Sequence, residues 1–297
     1  MLDFSKIKTY PIKTRVNKEK LSNFFDITGD YPVLENENLK ILSKKIITAY
    51  KNKKKVILML GGHVLKVGCT PFIIDLMKKG VVSHVAVNGS FPIHDFEIAL
   101  IGETSEYVDK SIEDGSFGMS EETGNMLNTA AINAHKEGIG LGLGIGKMIH
   151  DKDLVHKDAS LSYTAYKYKI PFTVHTAVGT EIIYQHPKCD GAAMGQTSYH
   201  DFKLLATSLS ELEKGVVINI GSAVIMPEVF LKAFTITRNL GYEVKNFTAA
   251  NMDMLKHYRP TVNVVERPTS LGGIGLQIQA KHEETIPTLY KLICDNI

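Results

Sequence analysis

Val216-Val217-Ile218-Asn219-Ile220-Gly221-Ser222-Ala223-Val224-Ile225-Met226-Pro227 decides how the chain is read. A short run of β-branched and apolar residues predicts a buried strand. It stops at Gly221-Ser222-Ala223, and a helix is expected over 228–239. Strand, small-residue turn and helix make the unit from which open parallel sheets are built, and such sheets bind ligands beyond the carboxyl ends of their strands. Backbone N–H groups at the start of the following helix favour a phosphate. An ordinary tight turn also uses Gly and Ser, and the stretch lacks the spaced glycines of G-x-G-x-x-G.

The same unit recurs on both sides. Val56-Ile57-Leu58-Met59-Leu60 reads as a buried strand ended by Gly61-Gly62-His63, and Pro71 suits the first turn of the next helix. His84-Val85-Ala86-Val87 follows, ending in Asn88-Gly89-Ser90. Strands are also expected at 171–174 and 244–249, and another at 262–267. Helices are expected over 39–50, 120–136, 154–168, 199–213 and 283–295. Residues 1–35 are polar and weakly periodic and read as an N-terminal arm. Residues 36–297 read as a single α/β domain, a Rossmann-like parallel sheet with helices on both faces.

Composition narrows the function. The 297 residues are 44% hydrophobic and 22% charged, ordinary for a globular protein, and the net charge of +2 gives no electrostatic footprint for nucleic acid. No apolar run approaches the roughly 20 residues of a membrane helix. Cys69, Cys189 and Cys294 are far apart, which fits a reducing, cytoplasmic setting. His63, His175, His186 and His257 lack ligand spacing, so no metal is expected. The alternating glycines of 138–146 fit neither a P-loop nor G-x-G-x-x-G and predict close packing instead.

Chemistry gathers where strands end. Gly61-Gly62-His63, Asn88-Gly89-Ser90, Gly221-Ser222-Ala223 and Thr248-Ala249-Ala250 would share one sheet edge and cradle a dinucleotide. Glu181 and Asp253 supply carboxylates that can hold a ribose diol or an ammonium group. His94 and His257 are candidate acid/base groups.

The order and spacing of four regions resemble the deoxyhypusine synthase family: Gly61–Gly68, Val87–Asp95, 163–186, and Ile220–Ile225 with Phe247–Asp253. The resemblance runs from about Lys55 onward. It implies a Rossmann-like fold, NAD as cofactor, a polyamine-type substrate and a homotetramer with sites at dimer interfaces. It implies that Gly61 to His63, Asn88 to Ser90, Gly221 to Ala223, Thr248 and Asp253 face the dinucleotide, and that Glu181 binds the amine. The family's imine-forming lysine, expected in a Trp-Gly-Lys motif, is missing from Thr269-Ser-Leu-Gly-Gly-Ile274, and the chain has no tryptophan. The family's histidine after the glycine turn falls on Pro227, and Lys256 stands where an acid is expected. Lys256 is therefore the candidate replacement amine. Two other functions fit the residues: an NAD-dependent oxidoreductase or isomerase of a sugar or sugar phosphate, using Arg259, Arg267 and Gly272-Gly273, and a silent ligand-binding subunit.

Overall fold

The computed structural model describes residues 2–297. Its centre is a parallel sheet of strands β2 (Val56–Leu60), β3 (His84–Asn88), β5 (Phe172–His175), β6 (Val216–Ile220), β7 (Thr248–Asp253) and β8 (Ile274–Gln279). A separate antiparallel ribbon pairs β1 (Asn17–Lys20) with β4 (Glu103–Glu106). The spatial order in the sheet is β5-β3-β2-β6-β7-β8. Counted in chain order among the parallel strands alone, this is 3-2-1-4-5-6, the order of doubly wound dinucleotide-binding sheets.

Every residue of β2 and β6 is buried, as expected of strands covered on both faces. One face packs against α1 (Glu37–Lys51), α3 (Thr70–Lys78) and α12 (His282–Cys294), where Leu39, Phe72 and Ile286 meet Leu58 and Ile218. The other face receives α9 (Gly191–Ser210) and α10 (Ile225–Asn239), whose Leu205, Phe230 and Phe234 cover Ile57, Met59 and Val217. Between β3 and β5 the chain makes α4 (Phe91–Ile101), β4, α5 (Val108–Ser111), α6 (Glu121–Glu137), α7 (Leu141–Asp151) and α8 (Leu161–Tyr168). The short helix α2 (His63–Lys66) begins directly after the β2 turn.

Two sequence expectations change here, and one strand was not expected. Residues 262–267, expected as a strand, lie mainly in a π-helix over Thr261–Glu266, preceded by the short α11 (Tyr258–Pro260). The last strand is Ile274–Gln279, inside a glycine-containing stretch whose composition argues against strand, and parallel pairing with β7 decides it. Residues 17–20, read as part of a polar arm, form a strand because β4 offers them a backbone partner. The alternating glycines begin α7, with Gly144 against the Ala134 side chain and Gly146 against the Ser162 carbonyl.

A buried polar cluster lies under α9. His84 Nδ1 bonds Ser208 Oγ at 2.7 Å and Nε2 bonds Thr173 Oγ1 at 2.9 Å, and that same hydroxyl bonds His175 Nε2 at 3.0 Å. Burial pushes both imidazoles down to about 3. Unfolded, each titrates near ~6.5. Below that pH the unfolded chain binds more protons, so their contribution is complete above ~6.5 and is lost as pH falls toward about 3. Asp201 opposes this, because burial raises its carboxyl to about 7 despite backbone donors at Gly142 and Val174. Its contribution is therefore present below ~3.9 and lost as pH rises toward about 7. We expect His84→Gln to flatten the acid limb of the stability curve below pH ~6.5, measured by urea unfolding across pH. An unchanged acid limb would remove His84 from that role.

Candidate functional site

The sheet order places the topological switch point, and with it the crevice of such folds, at the adjoining carboxyl ends of β2 and β6, whose connections leave in opposite directions. Backbones come very close there. Gly61 N–H donates to the Ile220 carbonyl at 2.9 Å, and a Cβ on Gly61 would collide with the Gly221 carbonyl oxygen. Gly221 adopts φ +67°, a conformation that glycine reaches without strain. Asn219 looks out of place in an apolar strand, yet its amide holds the turn: Nδ2 donates to the Ser222 carbonyl at 2.9 Å and to Asn251 Oδ1 at 2.7 Å. Ser222 Oγ accepts the Met226 N–H in the first turn of α10 at 3.2 Å. Other N–H groups at that helix start have no partner within the helix.

His282 was not singled out by its sequence context. It begins α12, is 1% exposed, and neither ring nitrogen has a hydrogen-bond partner. Its ring centroid lies 5.6 Å from that of His63, and a Cβ on Gly221 would meet its Nε2 at 2.6 Å. Burial lowers its basicity, with Asp253 acting in the opposite direction. Asp253 ends β7 beside this crevice, and its Oδ1 accepts the Leu255 N–H at 3.2 Å.

A cavity of about 400 Å³ opens over the ends of β2, β3 and the loop after β5. His63, Lys66, Ser90, His94 and Glu181 line it, together with Arg15 and Glu19 from the N-terminal segment. Glu181 is 6% exposed and accepts the Ala177 N–H at 3.2 Å. It packs over Gly89 so closely that a Cβ there would collide with the carboxylate. Burial raises its affinity for a proton, and it has no cationic partner among the described residues. Asn88 Oδ1 is occupied within its own turn, accepting from Ser90 Oγ at 3.0 Å and Phe91 N at 3.3 Å.

His94 is fixed by a relay. The Thr104 hydroxyl donates to Glu97 Oε2 at 2.6 Å, so at 2.8 Å it must accept from His94 Nδ1–H. That hydrogen-bond pattern leaves the Nε2 lone pair free. Burial pushes the imidazole down to about 3, with Lys66 and Arg15 reinforcing it, so it is neutral near pH 7. His94 thus offers a neutral hydrogen-bond acceptor in the cavity wall. Arg15 closes the wall: its guanidinium meets Glu97 Oε2 at 2.7 Å and Glu106 Oε1 at 3.7 Å, with side chains 5% exposed or less.

Of the sequence-selected residues, His63, Ser90, His94 and Glu181 line the cavity, and the others do not. Thr248 is the first residue of β7, its N–H donating to the Gly215 carbonyl at 3.0 Å, so it lies at the opposite sheet edge from the turns. The strand was expected at 244–249 but runs Thr248–Asp253, which moves Thr248 from its end to its start. Lys256 and His257 follow β7, and neither lines the cavity. Two amines do, Lys66 on α2 and Lys18 in β1. A lysine four residues beyond the Gly62 of a strand-end turn is a signal the sequence contained.

No protein-family model matches the chain, and no curated protein matches it. Solved structures do. A conserved LOR/SDH-type protein from Methanococcus maripaludis S2 superposes with TM-score 0.55 at 14% identity, over 90% of this chain and 73% of that one. AgrE, in a ternary complex with ornithine and NAD+, gives 0.55 at 12% identity, over 89% of this chain and 34% of AgrE. A candidate deoxyhypusine synthase from Entamoeba histolytica gives 0.49 at 12% identity, over 87% and 88%. The first two likenesses, with the sheet order, establish a Rossmann-like fold. The deoxyhypusine synthase resemblance is distant and carries no residue roles by itself.

Arg15→Met would leave Glu97 buried without its cation, and breaking such pairs costs about 3–5 kcal/mol. The variant should show a correspondingly lower urea midpoint, and Glu97→Gln in the same chain should restore part of the loss. A midpoint equal to that of the parent would show the pair to be energetically idle.

Proposed function

We propose that the chain is an NAD-dependent enzyme that oxidises a small substrate at a carbon bearing an amine. The observation that carries this reading is Glu181, a buried carboxylate without a cation, facing a cavity next to the switch-point crevice. A substrate ammonium supplies the missing charge, and a charge-assisted hydrogen bond in a buried site is strong. The residues present fit the cofactor. The start of α10 suits a pyrophosphate, and Asp253 offers acceptors to a ribose diol. NAD, when bound, supplies a hydride acceptor.

The chain's own residues do the rest. Glu181 binds the ammonium and takes its proton, which its burial-raised proton affinity favours. His94 Nε2 accepts a hydrogen bond from the same nitrogen, with its tautomer held by Thr104 and Glu97. Ile93 and Phe117 make apolar wall. Arg259 and Arg267, the anchors of the sugar-phosphate reading, do not line this cavity; Arg259 pairs with Glu228 at 3.3 Å and Arg267 bonds Asn263 at 3.0 Å.

Titration calorimetry should detect NAD binding, and primary amines with NAD should release NADH. Glu181→Gln should raise the amine KM by about 10- to 100-fold while leaving the NAD Kd unchanged. Because only the ionised Glu181 binds an ammonium and its pKa is raised, kcat/KM should fall as pH drops through that raised value. Absence of NAD binding would overturn the reading.

A further inference from the structure

The cavity's charges are unevenly satisfied. Arg15 is held by Glu97 and Glu106, and Lys18 Nζ lies 4.8 Å over the Tyr107 ring. Lys66 is different. Half-buried on α2, it lines the cavity and makes no ion pair or hydrogen bond through Nζ among the described residues. Glu19 acts on it through space without forming an ion pair, and burial weakens its hold on its proton. Glu181, on the loop after β5, lines the same cavity and is equally without a partner of opposite charge. Lys66, Glu19 and Glu181 all lack an ion pair in one cavity of about 400 Å³, and a ligand carrying both an amine and a carboxylate matches Glu181 and Lys66 together.

We propose that the substrate class is a free amino acid, its carboxylate held by Lys66 and its amine by Glu181. This rests on the amine-oxidising reading above and sharpens it. A diamine satisfies Glu181 but leaves Lys66 facing a second cation, which repels it. A phosphate of the dinucleotide satisfies Lys66, but Glu19, Glu97, Glu106 and Glu181 all line the same cavity and disfavour a multiply charged anion. A zwitterion brings no net charge and offers a partner to both Lys66 and Glu181. The cavity volume is at the low end of the range of small-molecule sites, which suits an amino acid.

Matched pairs differing only in the carboxylate test this: L-lysine against cadaverine, and 4-aminobutyrate against propylamine. Binding is followed by calorimetry with NAD present, and turnover by NADH. The parent should favour each amino acid over its amine by about tenfold or more. Lys66→Met should abolish that preference by weakening the amino acid alone, and Lys66→Arg should retain it. The NAD Kd should not change, and melting temperatures confirm that both variants fold. Equal loss for acid and amine, or a weakened NAD Kd in Lys66→Met, would overturn the assignment and, in the second case, make Lys66 a phosphate ligand. Amines turning over while amino acids fail would overturn this inference and leave the enzyme reading intact. NAD binding with no response to either class would overturn the amine reading itself.

Discussion

Two glycines, Gly61 and Gly221, let the ends of β2 and β6 touch, and the rest of the site depends on that contact. A side chain at Gly61 would force the two strand-end turns apart just where the sheet's connections diverge. The turns on either side then take their places by hydrogen bonding within the sheet. Asn219 spends its amide on the Ser222 carbonyl and Asn251, and Gly221 N–H donates to Met252. The crevice is thus a rigid product of backbone pairing, and His282 is packed into it with no protein group to bond.

The cavity beside it is made differently. Its floor comes from strand ends, but its wall comes from residues before the sheet begins. The β1/β4 ribbon brings Arg15 and Glu19 over the edge, and Glu97 on α4 fixes Arg15 from below. Glu97 also receives hydroxyl bonds from Thr104 and Thr123, so one buried carboxylate joins the N-terminal segment, β4, α6 and, through Thr104, the tautomer of His94. Such a network is costly to leave incomplete, because each remaining polar group would be desolvated without a partner. The same wall leaves Lys66 and Glu181 unpaired, and in a buried setting those two vacancies are where a ligand gains most.

Local pattern was sufficient for much of this. The apolar runs 56–60, 84–87 and 216–220 are strands because only a sheet covered on both faces buries them fully, and the small residues that follow mark its carboxyl edge. The placement of Glu181, His94 and the Gly61 and Gly221 turns beyond the carboxyl ends of strands was legible from their positions in the chain. Thr248 was misplaced because Val244 and Phe247 are apolar but precede the strand, packing in the second core while pairing begins at Thr248. The 262–267 run was misread because β-branched residues suit a strand, whereas packing against α10 winds them into a π-helix.

The sequence by itself determined the alternation of strands and helices and the chemistry at strand ends, since both follow from local periodicity and from what glycine and serine permit. Only the tertiary structure decided which charges meet. Arg15 and Glu97 lie 82 residues apart, and the edge strand β8 exists only by pairing with β7. Burial turned His94 neutral and left Lys66 and Glu181 without partners. Desolvation and pairing are properties of three-dimensional neighbours, and no window along the chain contains them.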